Sequence, residues 1–377
     1  MSLTYFFAGG GTGGHLFPGL AVARLLHEQD RARIVFVGTD RLLETDVLRN
    51  SPFEHRSLPV EPLPTLRRNP PRFLWRNAGA YRAAVRWLAE EKPAAVIGLG
   101  GYASAPLVLA AARRRVPVLL LEQNALPGKT TRWLARAAST ICISMAESAR
   151  HLPRSARTVL TGNPVRPEIA ALAARTSTEA DSPPTLLVLG GSQGAASLND
   201  AVVKILEDHT ALLQGWRIVH QTGAQQVDAI RRRYQALGLS TVVEPFFPDL
   251  RPWYEAATLI ISRAGATTLA ELACAGVPAV LVPYPFAADN HQSRNAEVFE
   301  EAGAAILVRH ASTTAETAER LRVALAGIVA SAEQRTEMTR AMRGLARPDA
   351  CERVVAEVRQ LVAGSSSPSA PPPHAPG

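Results

Sequence analysis

The side chains best suited to chemistry start with a histidine. His15 stands at the exit of a loop with five glycines, in FFAGGGTGGHLFPGLAVA from Phe6 to Ala23. An imidazole with an ordinary pKa of about 6.5 can take a proton from an attacking hydroxyl at neutral pH. It can equally donate to a bound phosphate or fix the loop. The glycines before it let backbone N–H groups close on an anion at a helix N-terminus. Gly9, Gly11 and Gly14 also satisfy G-x-G-x-x-G, and Asp40 follows the second apolar run, so a dinucleotide cofactor is one reading. A nucleotide sugar or a lipid-linked diphosphate is another. Glu122, at the end of VLLLEQN, is a rival base, or a group that holds its own strand-end turn.

A second loop of the same kind tips the choice. LLVLGGSQGAASLND, Leu186 to Asp200, repeats strand, glycines and helix start, with Ser192 and Gln193 as side-chain donors. Two anion loops, one in each half, suit a transferase whose two substrates both carry phosphate. The third stretch is SRAGATTLAELACAGVPAVLVPYPFAADNHQSRNA, Ser262 to Ala296. Here a glycine turn opens a helix that carries Glu271, and an ionised carboxylate can accept from both hydroxyls of a ribose. The later Asp289-Asn290-His291-Gln292 offers donors and acceptors for sugar hydroxyls. No D-x-D occurs, so the usual carboxylate pair for a diphosphate-bound metal is missing, and neither a metal nor a cofactor is expected.

These motifs need elements to position them. Short apolar runs alternate with helical patterns: TYFFA, RIVFVG, AAVIGLG, PVLLLEQ and STICIS in the first half, then TLLVLGG, WRIVHQT, TVVEPF, ATLIIS and PAVLVPY in the second. Such alternation predicts α/β architecture, with parallel sheets covered by helices on both faces. A chain of 377 residues is too long for one compact core. The expected organisation is two Rossmann-like, doubly wound domains facing each other across a cleft. The first spans residues 1–162 and the second 163–347. A last amphipathic helix is expected at about 348–363, and a Ser/Pro-rich tail, 364–377, is expected to be disordered.

Charge distribution adds a further expectation. The formal net charge is +8. Between Leu66 and Ala89 lie Arg67, Arg68, Arg72, Arg76, Arg82 and Arg86 with no acidic residue, interleaved with Phe73, Leu74, Trp75, Tyr81 and Trp87. Such a basic patch can be an ordinary solvated face or a nucleic-acid surface, and basic and bulky apolar residues together also fit a surface resting on anionic lipid. The uncharged run Pro93 to Ala112 is broken by Gly98, Gly100, Gly101 and Pro106, so it reads as strand, turn and helix and not as a membrane span. Three separated cysteines have no metal-ligand spacing and fit a reduced compartment.

GGGTGGHLFPGLA, GLGGYASAP, LEQNALPGKT, GNPVR, LGGSQGA and the Ser262–Gln292 stretch, in that order, resemble glycosyltransferase family 28. The resemblance runs from about Thr4 to Val362. It implies the GT-B fold, with the last helix (about 348–363) returning to the first domain, and inverting transfer of N-acetylglucosamine from UDP-GlcNAc to the C4 hydroxyl of the muramyl sugar of lipid I, forming lipid II. It also implies a peripheral enzyme on the cytoplasmic face of the inner membrane, with anionic lipid as a contact, a cell-wall synthesis complex as a partner, and no nucleic acid. By resemblance the donor contacts are Thr12, Gly13 and Gly14, then Asn124, Arg166 and Ser192. Phe247 meets uracil through its backbone. The run Ala266, Thr267, Thr268, Leu269, Ala270 and Glu271 also belongs to the donor contacts, with Glu271 holding the ribose, and Gln292 reaches the sugar. Tyr102 lines the acceptor side, where its glycine turn suits the lipid I diphosphate. Phe73, Leu74, Trp75, Arg72 and Arg76 are the membrane-side candidates. Where some members carry two adjacent glutamines, this chain has His291-Gln292. Other lipid-directed transferases of the same fold, a nicotinamide oxidoreductase, and a non-catalytic nucleotide-sugar sensor are the competing readings.

Overall fold

The structure is a computed structural model that describes residues 2–175, 183–191 and 194–366. Its first sheet contains β1 (Thr4–Gly9), β2 (Arg33–Gly38), β3 (Glu54–Ser57), β4 (Ala95–Gly100), β5 (Val118–Glu122), β6 (Thr140–Ile143) and β7 (Thr158–Leu160). Their order is β3-β2-β1-β4-β5-β6-β7, and neighbours pair in parallel. The second contains β8 (Thr185–Leu189), β9 (Arg217–Gln221), β10 (Thr241–Glu244), β11 (Leu259–Ser262), β12 (Ala279–Leu281) and β13 (Ala305–Leu307). It is likewise parallel, in the order β10-β9-β8-β11-β12-β13.

Each sheet reverses its winding once, between β1 and β4 in the first and between β8 and β11 in the second. Ligands of open α/β sheets bind outside the carboxyl ends of the strands at such a switch point. The glycine loops follow β1, β4 and β8, and the turn Arg263–Gly265 follows β11. The sequence therefore delivers its motifs to the switch point of each sheet.

Residues on one strand supply both faces, as in a parallel sheet covered on each side. In β1, Phe6 and Ala8 join the core formed with Ala80, Ala84 and Leu88 of the helix Pro70–Glu91 and Leu107 of the helix Ala105–Arg113. Tyr5 and Phe7 join the opposite core, with Leu16, Leu20 and Ala23 of the helix Gly13–Asp30 and Val354, Val355 and Val358 of the last helix, Ala350–Ser366. Arg359 of that last helix also donates to Asp30 at 2.7 Å. The helix takes in residues 364–366, which composition gives to the tail. The rest of the tail, and much of the polar stretch 174–184, lie outside the described residues.

Two units result. The first comprises the chain up to Gln123, Pro127–Pro164 and the chain from Asp349; the second comprises Asn124–Leu126 and Val165–Pro348. The core of the second gathers Leu186 and Val188 of β8, Ile218 of β9 and Ile261 of β11 against Leu198, Val202 and Leu206 of the helix Ala196–Asp208. Pro93–Ala112 folds as β4, a glycine turn and a helix. No helix among the described residues is long and apolar enough to cross a membrane.

Candidate active site

In the first unit, β1 and β4 run side by side until Gly9 meets Gly100, where the register shifts and both chains leave the sheet. Both glycines have positive φ, +99° and +96°, a conformation that side chains disfavour. A Cβ at Gly9 would stand 2.4 Å from the Gly100 carbonyl oxygen. The two turns can pack this closely only without side chains.

Thr12 occupies the N-cap position of the helix Gly13–Asp30, yet its side chain makes no capping bond. Its Oγ1 instead lies 2.9 Å from His15 Nδ1. When Thr12 accepts from Nδ1–H, Nε2 carries the lone pair that a general base needs. The Nε2 edge of the half-buried ring faces Gly100, where an added Cβ would come within 3.2 Å of Nε2. Gly13 and Gly14 form the first turn of the helix. Tyr102 follows the second turn, and its hydroxyl accepts from Arg41 Nη2 at 3.3 Å. Arg41 Nη1 donates to the Gly11 carbonyl at 3.2 Å, and the guanidinium stands 5.6 Å from the Tyr102 ring centroid. Arg41 lies outside every motif that marks the site in sequence.

Glu122 is buried, and its Oε2 accepts from the Gly128 N–H at 3.1 Å. It closes the turn between β5 and the helix Lys129–Leu134. Its neighbour Asn124 belongs to the second unit. Fully buried Asn295 makes that connection: its Nδ2 donates to Asn124 Oδ1 at 3.1 Å and to the Ala264 carbonyl at 3.2 Å, and its Oδ1 accepts from the Ala125 N–H at 2.8 Å.

Glu271 lies on the helix Ala266–Ala275, which Gly265 begins and Gly276, with φ +68°, ends. The carboxylate is buried. Tyr254 donates to Oε2 at 2.9 Å, and Arg166 Nη2 stands 3.6 Å from Oε1. Burial pushes the carboxyl pKa up, against the opposing pull of Arg166 and Tyr254. Burial, and then the charge of Glu271, push the Tyr254 hydroxyl well above its ordinary value, so it stays a donor. Ala266 and Leu269 are buried supports, while Thr267, Thr268 and Ala270 are partly exposed on the first turns. Gln292 Oε1 accepts from the Tyr284 N–H at 2.9 Å. His291 Nδ1 lies 2.7 Å from the Ala288 carbonyl, at the start of the helix His291–Glu301.

Phe247 turns its ring inward, with its centroid 4.9 Å from that of Trp253, and leaves Phe246 as the exposed aromatic of the pair. The Phe247 N–H donates to Gln221 Oε1 at 3.2 Å, and Gln221 Nε2 donates to the Gly191 carbonyl at 3.0 Å. Gln221 thus joins the glycine loop after β8 to the segment after β10. Ser192 of that loop lies outside the described residues. Arg263 is another group that sequence reasoning passed over. Nη1 donates to the Val282 and Pro283 carbonyls at 2.9 and 3.2 Å, and Nη2 donates to Ser197 Oγ at 3.0 Å. It forms no ion pair among the described residues, and burial lowers its pKa to about 10. A half-buried cation without a carboxylate partner among the described residues favours an anion close by.

Residues 5–143 match the glycosyltransferase family 28 N-terminal domain, and residues 185–354 match the family's C-terminal domain. The chain belongs to glycosyltransferase family 28. A relative from Desulfotalea psychrophila is 41% identical over 358 residues, covering 94% of this chain and 95% of its own. It is named UDP-N-acetylglucosamine--N-acetylmuramyl-(pentapeptide) pyrophosphoryl-undecaprenol N-acetylglucosamine transferase. A family relative of the same name from Geotalea uraniireducens is 38% identical, covering 93% of this chain and 96% of its own. Among solved structures, Acinetobacter baumannii MurG is similar at a TM-score of 0.77 and 32% identity, covering 95% of this chain and 99% of that one. The calicheamicin glycosyltransferase CalG4, at 17% identity and a TM-score of 0.68, shares the fold. The two doubly wound units are those of the GT-B fold, and this family member is an enzyme that transfers a glycosyl group.

Proposed function

We propose that this chain transfers N-acetylglucosamine from UDP-GlcNAc to the C4 hydroxyl of the muramyl sugar of lipid I, releasing UDP and forming lipid II with inversion. The observation that carries this reading is the near full-length identity to relatives named for that transfer. Glu271, placed between Tyr254 and Arg166, supports a ribose contact, because its remaining lone pairs can accept from a diol. Backbone N–H groups at the helix starts, together with the positive charge of Arg263, suit the diphosphate and its developing charge as UDP leaves. We assign the general base to His15, whose Nδ1 lies against Thr12 Oγ1, a pairing that favours the tautomer with its lone pair on Nε2. Glu122, closing the turn to Gly128, is assigned a structural role.

The helix Pro70–Glu91 supports membrane docking. Asn69 Oδ1 caps it by accepting from the Arg72 N–H at 3.1 Å, and Pro70 and Pro71 open its first turn. Its buried residues are Ala80, Ala84 and Leu88, all beyond the first two turns. Leu74 and Trp75 are 61% and 77% exposed, and Leu63 of the preceding helix is 65% exposed. Phe73 is half-buried. Arg72 and Arg76 both pair with Glu61, at 2.8 and 3.4 Å, whereas exposed Arg67, Arg68 and Arg82 form no ion pair among the described residues. Those three therefore suit an anionic lipid surface better than Arg72 and Arg76, at about 1 kcal/mol each near the headgroups. Production of UDP and a muramyl disaccharide from UDP-GlcNAc and a short-chain lipid I analogue tests the reaction. Co-sedimentation with anionic and neutral vesicles tests the docking.

A further inference from the structure

We infer that Arg41 is a binding residue for the acceptor, supplying the positive charge that holds the acceptor's diphosphate against the two glycine turns of the first unit. The inference rests on the proposed reaction, in which the acceptor carries a pyrophosphoryl group.

Four observations lead there. The turns after β1 and β4 leave the sheet together at Gly9 and Gly100, and each runs into a helical start, at Gly13 and at Tyr102. Backbone N–H groups of both turns therefore gather at one switch point, a geometry suited to phosphate oxygens. Arg41 is the cation that joins these turns, through Nη1 to the Gly11 carbonyl and Nη2 to the Tyr102 hydroxyl. A guanidinium carries five N–H donors, and these two bonds leave others on an exposed side chain that its two anchors already hold in place. A carboxyl group lies behind the turn. Glu44 is buried, and a Cβ at Gly10 would come within 2.5 Å of its Oε1. Its Oε2 accepts from the Thr39 N–H at 3.1 Å and from Thr39 Oγ1 at 2.6 Å, which fixes the turn from which Arg41 extends. A dianion brought to the Gly10–Gly14 turn would thus have a carboxylate behind its cradle, and Arg41 offsets that repulsion. A planar fork also suits two phosphoryl oxygens better than an ammonium would.

The test compares wild type with Arg41→Ala and Arg41→Lys, using UDP-GlcNAc and a short-chain lipid I analogue, with methylenediphosphonate as the probe of the diphosphate site. Arg41→Ala should raise the acceptor KM by ~10–100-fold. Donor KM should stay within about twofold, and the melting temperature should hold. Competitive inhibition by methylenediphosphonate against the acceptor should weaken by a similar factor, and Arg41→Lys should fall between the two. An unchanged acceptor KM with unchanged diphosphonate inhibition overturns the inference. So does a fall in kcat with both KM values kept, which would make Arg41 a brace for the turns only. If wild type transfers no sugar to this acceptor, the proposed reaction fails by itself. Direct calorimetric binding of methylenediphosphonate then decides Arg41 separately, with equal affinity in wild type and Arg41→Ala overturning its role.

Discussion

Replacing Glu271 by glutamine isolates charge from shape at the proposed ribose contact. In the ligand-free protein the carboxylate takes one bond from Tyr254 at 2.9 Å and faces Arg166 at 3.6 Å. A ribose diol would use the lone pairs that remain. The amide keeps one acceptor oxygen, loses the charge, and turns an NH2 toward either Arg166 or the diol. A hydrogen bond to a charged group contributes about 1.5–3 kcal/mol, and 1.4 kcal/mol is tenfold in affinity. Glu271→Gln should therefore raise the donor KM and the inhibition constant of UDP together by ~10–100-fold, leaving the acceptor KM unchanged. The pH dependence has a definite sign. Burial raises this carboxyl in the folded state, so its contribution to stability is greatest at low pH and declines as pH rises through the folded pKa. At neutral pH the ionised group costs stability, and the ligand-free glutamine variant should melt no lower than wild type. Wild-type donor affinity should fall on acidification earlier than an ordinary glutamate would allow, and the variant should lack that limb. Steady-state kinetics, UDP inhibition and thermal melting from pH 5 to 8 provide the assay. A UDP inhibition constant equal in wild type and variant would refute the ribose contact.

The remaining predictions concern other groups. His15→Ala should lower kcat by ~10²–10⁴ with donor affinity kept, whereas Glu122→Gln should mainly lower thermal stability; the reverse pattern would move the base to Glu122. Changing Leu74 and Trp75 together to serine should weaken binding to neutral and anionic vesicles alike by several kcal/mol. Changing Arg67, Arg68 and Arg82 to glutamine should act on anionic vesicles alone, and less so in high salt; turnover of a soluble acceptor should be kept in both variants. His220 is fully buried, with Nδ1 2.8 Å from the Tyr234 hydroxyl and Nε2 3.0 Å from Asn199 Oδ1. Burial lowers its pKa to about 3, so its stabilising contribution is present above the unfolded value and lost as pH falls. Urea unfolding of the second unit should lose ~1.4 kcal/mol per pH unit below about pH 6.5 from this group. A His220→Gln variant with the same acid dependence would contradict that source.

Much of this was legible because the motifs make backbone demands. Glycines at positive φ next to a strand end announce a close turn after β1, β4 and β8, and Glu271 follows a further strand-end glycine, Gly265, on a helix. The strands that went unread lie at sheet edges: β3 and β7 flank the first sheet, and β13 flanks the second. An edge strand need bury only part of its surface and can be short and polar, as EHRS of β3 is, so apolar runs do not reveal it. The supports of the site escaped for another reason. Arg41, Gln221, Arg263 and Asn295 act on partners 19 to 171 residues away in sequence. Strand order, and not local pattern, brings those partners within reach. The same holds for Glu61, which lies outside the arginine-rich window yet pairs with Arg72 and Arg76 inside the fold.

The central claim is transfer of a sugar from a uridine donor to a lipid-linked muramyl acceptor. The most direct measurement incubates the protein with UDP-GlcNAc and a short-chain lipid I analogue, and follows UDP and the lipid product by mass spectrometry. The expected result is one UDP per added N-acetylhexosamine, a β1→4 disaccharide product, and almost no UDP when the acceptor is left out. UDP released at the same rate without acceptor, or a C2-epimerised donor with the lipid unchanged, would contradict it.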